Sequence, residues 1–283
     1  MGVINITPDS FSDGGRFLDP RAALAQARRL VAAGVELLDL GAQSTRPGAV
    51  TLSPEQEWAR LQPILAAIVA ARQAGELACS DAGARAVIGP LLSVDTFHAP
   101  VAAAALQAGA DWINDVSGGR RDPAMLPLVA GAGCPYVLMH SRGDSLSMDA
   151  QTDYGSAGVV RGVATELLAA TERALAAGIR AEQLIWDPGL GFAKTNEQNL
   201  ELLRGLARLR REGFPLLVGP SRKRFIGTVL NEPRPRARIW GTAAVVAHCV
   251  AAGVAIVRVH DGRAMVQTVR MSEALRDGAQ SGS

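Results

Sequence analysis

LLSVDTFHAPVAAAALQAGADWIND, residues 91–115, sets the plan that the rest of the chain repeats. The run LLSV at Leu91–Val94 is short and apolar, as a strand buried on both faces would be. Residues 98–108 follow with the alanine-rich content of a helix, and Gly109 stands where a helix ends in a left-handed residue. WIND at Trp112–Asp115 then reads as the next strand. Two strands joined through a helix lie parallel in one sheet, a crossover that a hairpin cannot supply.

The same period runs outward in both directions. Before it stand VINI at Val3–Ile6 and VELLDL at Val35–Leu40. After it come YVLMH at Tyr136–His140, LIWD at Leu184–Asp187, PLLVG at Pro215–Gly219 and AIVRVH at Ala255–His260. Further helix candidates lie near residues 20–33, 54–73, 123–132, 158–177, 197–211, 236–252 and 262–276. Pro20 after Asp19 and Pro54 after Ser53 fall in a first helical turn, where proline is tolerated. Gly34, Gly133 and Gly178 take the place that Gly109 takes. Eight strand–helix units without a break in composition predict an α/β fold, a (β/α)8 TIM barrel with a closed sheet of eight parallel strands. A length of 283 residues suits it, because such barrels need about 250. A doubly wound open sheet is the alternative. One domain over residues 1–283 is expected, with an insertion on the amino-terminal face at about 73–88 and a flexible tail at about 277–283.

Composition narrows the function classes. Hydrophobic residues make up 48% and charged residues 20%, which is globular, and a net charge of +2 gives no global attraction to nucleic acid or membrane. Any anion site must therefore be local. Cys79, Cys134 and Cys249 are far apart and without metal or redox spacing, so reduced thiols in the cytoplasm are expected. No HxH, HExxH or paired Cys/His spacing announces zinc. No apolar run approaches the roughly 18 residues of a membrane span. Met1 opens directly into a strand-like run, which leaves open a longer natural chain. His98 reads as a helix start, and His248 with Cys249 as core or dimer-face residues.

In a parallel barrel the carboxyl ends of the strands form the mouth of the site. Here those ends carry Asn5, Asp39, Asp95, Asn114 with Asp115, His140, Asp187, the SRK of Ser221–Lys223, and Arg258 with His260. Any one of them could be a helix cap or a turn residue. A polar residue at every strand end exceeds what capping requires, because buried carboxylates are costly unless paired or used. Asp39, Asp95, Asn114 and Asp187 offer acceptors to a flat heterocycle with several N–H groups. Asn5, Lys223, Arg258 and His260 suit phosphate oxygens and a metal ion. The glycines of GLGFAK at residues 189–194 let backbone approach a ligand closely, and loops 7–19 and 41–53 have the length and Gly/Pro content of lids.

Six runs carry a resemblance: NITPDSFSDGG at residues 5–15, SVDT at 93–96, NDVSGG at 114–119, DPGLGFAK at 187–194, SRKRF at 221–225 and RVHD at 258–261. In this order, one per strand end, the chain resembles the dihydropteroate synthase family over essentially its whole length. The resemblance implies condensation of 6-hydroxymethyl-7,8-dihydropterin pyrophosphate with p-aminobenzoate, releasing pyrophosphate. It implies a pterin site of Asp95, Asn114, Met139, Asp187, Phe192, Gly219, Lys223 and Arg258. It further implies Phe11, Asp13, Thr45, Arg46, Pro47, Ser221 and Arg224 around p-aminobenzoate. Asn5, Thr45, Arg46, Arg258 and His260 would take the pyrophosphate, and Asn5 would ligate Mg²⁺. Asp95, Lys223, Arg258 and His260 are the implied catalytic residues.

The resemblance also implies a homodimer built on late helices. The absence of an added aromatic residue in SRKRF implies sensitivity to sulfonamides. Residues that precede the first strand in that family are missing, and HSRGDSLSM at 140–148 departs from the expected form, so Arg142 and Asp144 receive no role. Two other readings share the pterin contacts: a methyltetrahydrofolate–corrinoid methyltransferase barrel, and a non-catalytic pterin-binding paralogue. The first has no use for the phosphate set of Asn5, Lys223, Arg258 and His260, and the second predicts a lost reacting-group residue.

Overall fold

The computed structural model describes residues 1–6, 19–43, 51–78 and 89–278. Six strands, β1 (Gly2–Asn5), β2 (Leu37–Gly41), β3 (Leu91–Asp95), β4 (Trp112–Asp115), β5 (Tyr136–Met139) and β6 (Leu184–Asp187), form one parallel sheet in chain order. Two short strands, β7 (Leu217–Val218) and β8 (Ile256–Val257), pair in parallel with each other. A single parallel bridge from Trp186 to Leu216 places β7 beside β6, and another from Gly2 to Val259 places the chain after β8 beside β1. Val3 N–H donates to Val259 O at 2.9 Å and Val259 N–H to Met1 O at 3.0 Å. The seventh and eighth runs are shorter as strands than their composition predicts. Pro215 explains part of this, since it has no N–H to give to a ladder.

Helices connect the strands: α1 (Pro20–Ala32), α2 (Pro54–Gln73), α3 (Ala99–Gln107), α4 (Met125–Ala132), α5 (Gly158–Ala176), α6 (Asn196–Arg204), α7 (Leu206–Arg210), α8 (Arg224–Leu230), α9 (Ile239–Ala251) and α10 (Gly262–Gly278). Ser53 and Gln56 close a capping box on α2, and Thr195 and Gln198 do so on α6. Gly109 has φ 104° and Gly178 φ 96°, a region that residues with a Cβ avoid. The helix expected over 197–211 is broken at Gly205, where a Cβ would fall 2.6 Å from Val160 Cγ2 of α5. Close packing of α5 on the bend thus explains both the break and the glycine. A further short helix, α8, begins directly after the SRK run and ends at Asn231 in the left-handed region.

Leu38, Leu40, Val94 and Trp186 pack with Leu30, Ile64, Ile68 and Leu167 of the helices in the main core. A second cluster of Val137, Ile185 and Leu217, with Met1, Trp112 and Ile256 against it, fills the space beneath the strand ends. Of the expected insertion, residues 73–78 are described, and the chain is described again from 89; Leu77 is buried, and Glu76 pairs with Arg28. Residues 79–88 and 279–283 lie outside the described residues. Among the described residues, no helix is long and apolar enough to cross a membrane.

Candidate active site

Strand register lines up the polar ends. Asn5 is the Cα partner of Gly41, Gly41 of Asp95, and Asp95 of Asn114. Alternation along a strand then decides which side chains meet. Asn114 Nδ2 donates to Asp39 Oδ2 at 3.2 Å. Its neighbour Asp115 serves the fold instead, accepting from the Tyr136 hydroxyl at 2.7 Å and from the N–H groups of Ser117 and Gly119. His140 also leaves the ring expected of it, and meets Glu166 of α5.

Arg258 reaches across the centre. Its Nε donates to Asp39 Oδ2 at 2.6 Å and its Nη2 to Asp95 Oδ2 at 2.9 Å, so one guanidinium serves carboxylates from two strands. Burial pulls the guanidinium pKa down, but Asp39 and Asp95 together raise it above the ordinary value. Asp95 is pushed well up by burial, against the pull of Arg258 and with a push from Asp39. Asp39 Oδ1 and Ser93 Oγ are buried without a hydrogen-bond partner among the described residues.

Asp187, at the end of β6, is buried and accepts Gly189 N–H at Oδ1, 2.7 Å away. Burial raises its pKa, opposed by the Gly189 N–H and by the charges of Lys223, Arg258 and Lys194. Met139, its register partner on β5, is buried beside it in the sheet. The Lys223 ammonium stands 4.5 Å over the Phe192 ring centroid, and burial lowers its pKa to about 8. Gly191 makes this possible: φ is 77°, and a Cβ there would press to 3.3 Å from Lys223 Cδ. Gly219 lies beside the Arg258 stem, but a Cβ would sit 3.8 Å from it, so sterics there do not demand glycine.

On the far side, Asn5 Nδ2 lies 3.3 Å from His260 Nε2, and His260 Nδ1 lies 2.9 Å from Ser221 Oγ. Arg222, at φ 62°, forms a bidentate pair with Asp261 that holds the turn between Ser221 and Lys223. The α8 amino terminus has no side-chain cap, and exposed Arg224 lies 3.6 Å from Asp149. A cleft of about 440 Å³ including its open mouth shares Phe192 with this centre and is lined also by Gln43, Thr51, Phe97, Ser117 and Arg121. It does not include Ser221 or Arg224. Phe11, Asp13, Thr45, Arg46 and Pro47 lie outside the described residues. Cys134 and Cys249 are free and buried, and burial raises the Cys249 thiol to about 12.

Buried acceptors and cations gathered at the ends of parallel strands are the polar site of an α/β enzyme. The chain belongs to the pterin binding enzyme family, whose model matches residues 1–260, and within it to the dihydropteroate synthases. A dihydropteroate synthase of Synechocystis sp. is 46% identical over 275 residues, which cover 97% of this chain and 89% of that protein. The Yersinia pestis dihydropteroate synthase, solved with a sulfonamide drug, has TM-score 0.87 at 36% identity, covering 98% of this chain and 94% of that one. The Xanthomonas albilineans dihydropteroate synthase in complex with 7,8-dihydropteroate has TM-score 0.81 at 35% identity, covering 98% and 92%.

Proposed function

We propose that this chain condenses 6-hydroxymethyl-7,8-dihydropterin pyrophosphate with p-aminobenzoate, giving 7,8-dihydropteroate and pyrophosphate in folate biosynthesis. The observation that carries this reading is Asp187. It is a buried carboxylate whose hydrogen bonding among the described residues is confined to Oδ1, so Oδ2 is left to accept from a ligand. A pterin presents a 2-amino group and a ring N–H side by side, the donor pair that a carboxylate matches. Asn114 and Asp95 would hold the remaining polar edge, Lys223 would donate to ring acceptors, and Met139, Phe192 and Gly219 would line its faces.

In the reaction the bond from the pterin methylene carbon to the diphosphate oxygen breaks, and the diphosphate keeps the electron pair. Arg258 and His260 would stabilise that charge, and Asp95 the cation left on the pterin methylene. The amine of p-aminobenzoate then forms the C–N bond and releases a proton, a step that needs no strong general base. The Asn5 side chain supplies one neutral oxygen, and no cluster of three His, Cys, Asp or Glu able to hold a metal exists among the described residues. That donor set fits Mg²⁺ arriving with the diphosphate, held by phosphate oxygens, water and Asn5. When bound there, the ion would neutralise the leaving group.

The p-aminobenzoate carboxylate would meet the uncapped α8 amino terminus near Ser221 and Arg224, with Phe11, Asp13, Thr45, Arg46 and Pro47 closing from the loops. Thr45 and Arg46 would also reach the pyrophosphate. Sulfonamides, which resemble p-aminobenzoate in shape and charge, would compete for the same place. The two bridges and the β7–β8 pair support a closed eight-stranded barrel, with residues 1–283 as one domain. Exposed Trp240, Leu230, Met271 and Leu275 on α8, α9 and α10 support a homodimer, and unpaired buried thiols accord with the cytoplasm. Sulfonamide titration tests the substrate assignment: inhibition that more p-aminobenzoate relieves is expected, and inhibition indifferent to p-aminobenzoate would contradict it.

A further inference from the structure

A polar circuit lies behind the turn that carries Phe192, with Lys194, His140 and Tyr154 buried and Glu166 and Arg142 partly exposed. Lys194 Nζ sits 3.0 Å from Gly189 O, 2.9 Å from Phe192 O and 3.0 Å from His140 Nδ1. An ammonium has three N–H donors, and here each has one acceptor. The imidazole role follows from its other nitrogen. His140 Nε2 lies 3.0 Å from Glu166 Oε2, and a carboxylate only accepts, so Nε2 carries the proton and Nδ1 accepts from Lys194. Burial lowers the His140 pKa to about 4, which keeps this neutral form.

Arg142 then grips Glu166 through Nε and Nη2 and lies 3.8 Å over the Tyr154 ring centroid. Tyr154 donates its hydroxyl to Ala193 O at 3.1 Å, which returns the circuit to the same turn. The turn has little freedom elsewhere. Gly191 N–H donates to Asn199 Oδ1 at 2.7 Å, and a Cβ on Gly189 would fall 1.9 Å from His140 O.

We propose that Lys194 is a positioning residue for the pterin site: its ammonium, set by His140 and Glu166, fixes the turn that presents Phe192 and aims Gly189 N–H at Asp187. The inference rests on the pterin reading above. Without its proton, Lys194 has two donors and a lone pair for three acceptors, so the turn loosens. Burial lowers the Lys194 pKa to about 7, Asp187 and Glu166 pull it up, and Lys223 and Arg142 push it down. His140 is the remaining titratable group against it, and it is neutral across the working range.

The test is calorimetric affinity for 6-hydroxymethylpterin between pH 6 and pH 9, on the parent chain, Lys194→Met, His140→Asn and His140→Ala. Lys194→Met is expected to weaken binding roughly 10- to 100-fold at pH 6, the loss of charge-assisted hydrogen bonds. That ratio should shrink toward one by pH 9, where the parent has itself lost the proton; a merely structural residue would give a ratio independent of pH. His140→Asn keeps an acceptor near Nδ1 and should stay within about threefold of the parent, whereas His140→Ala should not. If Lys194→Met fails to fold, the His140 pair decides the matter. A parent that binds no pterin would overturn the functional reading. A parent that binds, with variants that match it or with a pH-independent ratio, would overturn this inference alone.

Discussion

Asp187 and Glu57 are both buried carboxylates, and they call for opposite treatment. Asp187 accepts a backbone N–H at Oδ1, and the charges of Lys223, Arg258 and Lys194 oppose the upward push of burial on its pKa. Asp187→Ala should abolish pterin binding in calorimetry, and retained affinity would remove Asp187 as the anchor. Glu57 of α2 is fully buried, neither oxygen has a hydrogen-bond partner among the described residues, His98 Nε2 stands 3.8 Å from Oε2, and burial raises its pKa to about 7 against a pull from the Thr96 hydroxyl. Folded protein therefore keeps this proton while unfolded chain loses it, and stability is lost as pH rises from the unfolded value of 4.5 through about 7. Glu57→Gln is expected to match the parent in denaturant titrations near pH 4 and to exceed it by on the order of 1–3 kcal/mol above pH 8. An equal gain at both pH values would contradict that assignment. At this scale the sequence was most legible where strand position alone places a residue, as it places Asp95, Asn114 and Asp187 at or next to the ends of β3, β4 and β6. It could not reveal that Asp115 and His140 face away from the centre, because alternation is read only once a strand's facing is known. Glu166 and Lys194 had no signal beyond a glutamate on a helix and a lysine closing a glycine turn.

Helices carry the next level. Ser53 caps α2 just after the loop that bears Thr45 and Arg46, and its hydroxyl accepts Gln56 N–H at 3.3 Å. Ser53→Ala should cost about 1 kcal/mol in chemical denaturation, and no loss would show that the box contributes nothing. Exposed apolar side chains stand on the late helices, above all Trp240 at 80% exposure, and the homodimer proposed above would cover them. In sedimentation velocity the parent is expected to run as a dimer and Trp240→Glu as a monomer; a monomeric parent would contradict the homodimer, and an unchanged dimer would exclude this face. The starts of α1 and α2 were legible from Asp19 and Ser53 with the prolines that follow them, and the ends of α1, α3, α4 and α5 from Gly34, Gly109, Gly133 and Gly178; α3, α4, α5, α8 and α9 begin without a side-chain cap. The break at Gly205 was not, since it arises from Val160 on another helix and no local pattern announces a tertiary contact.

The period of strand and helix is a property of the whole chain, and for that reason it was the most legible feature. Six parallel strands appear in sequence order, and the last two approach both ends of that sheet through single bridges. What the period could not supply is the pairing at the centre, where Arg258 from the last unit meets Asp39 and Asp95 from the second and third. Those residues are brought together only when the ends of the chain meet, so the cation and its carboxylates depend on the complete fold. Pyrophosphate release with dihydropterin pyrophosphate, p-aminobenzoate and Mg²⁺ tests the central claim most directly. The account predicts, with both substrates present, one pyrophosphate per dihydropteroate formed; a well-folded sample that binds both substrates and releases nothing would contradict it.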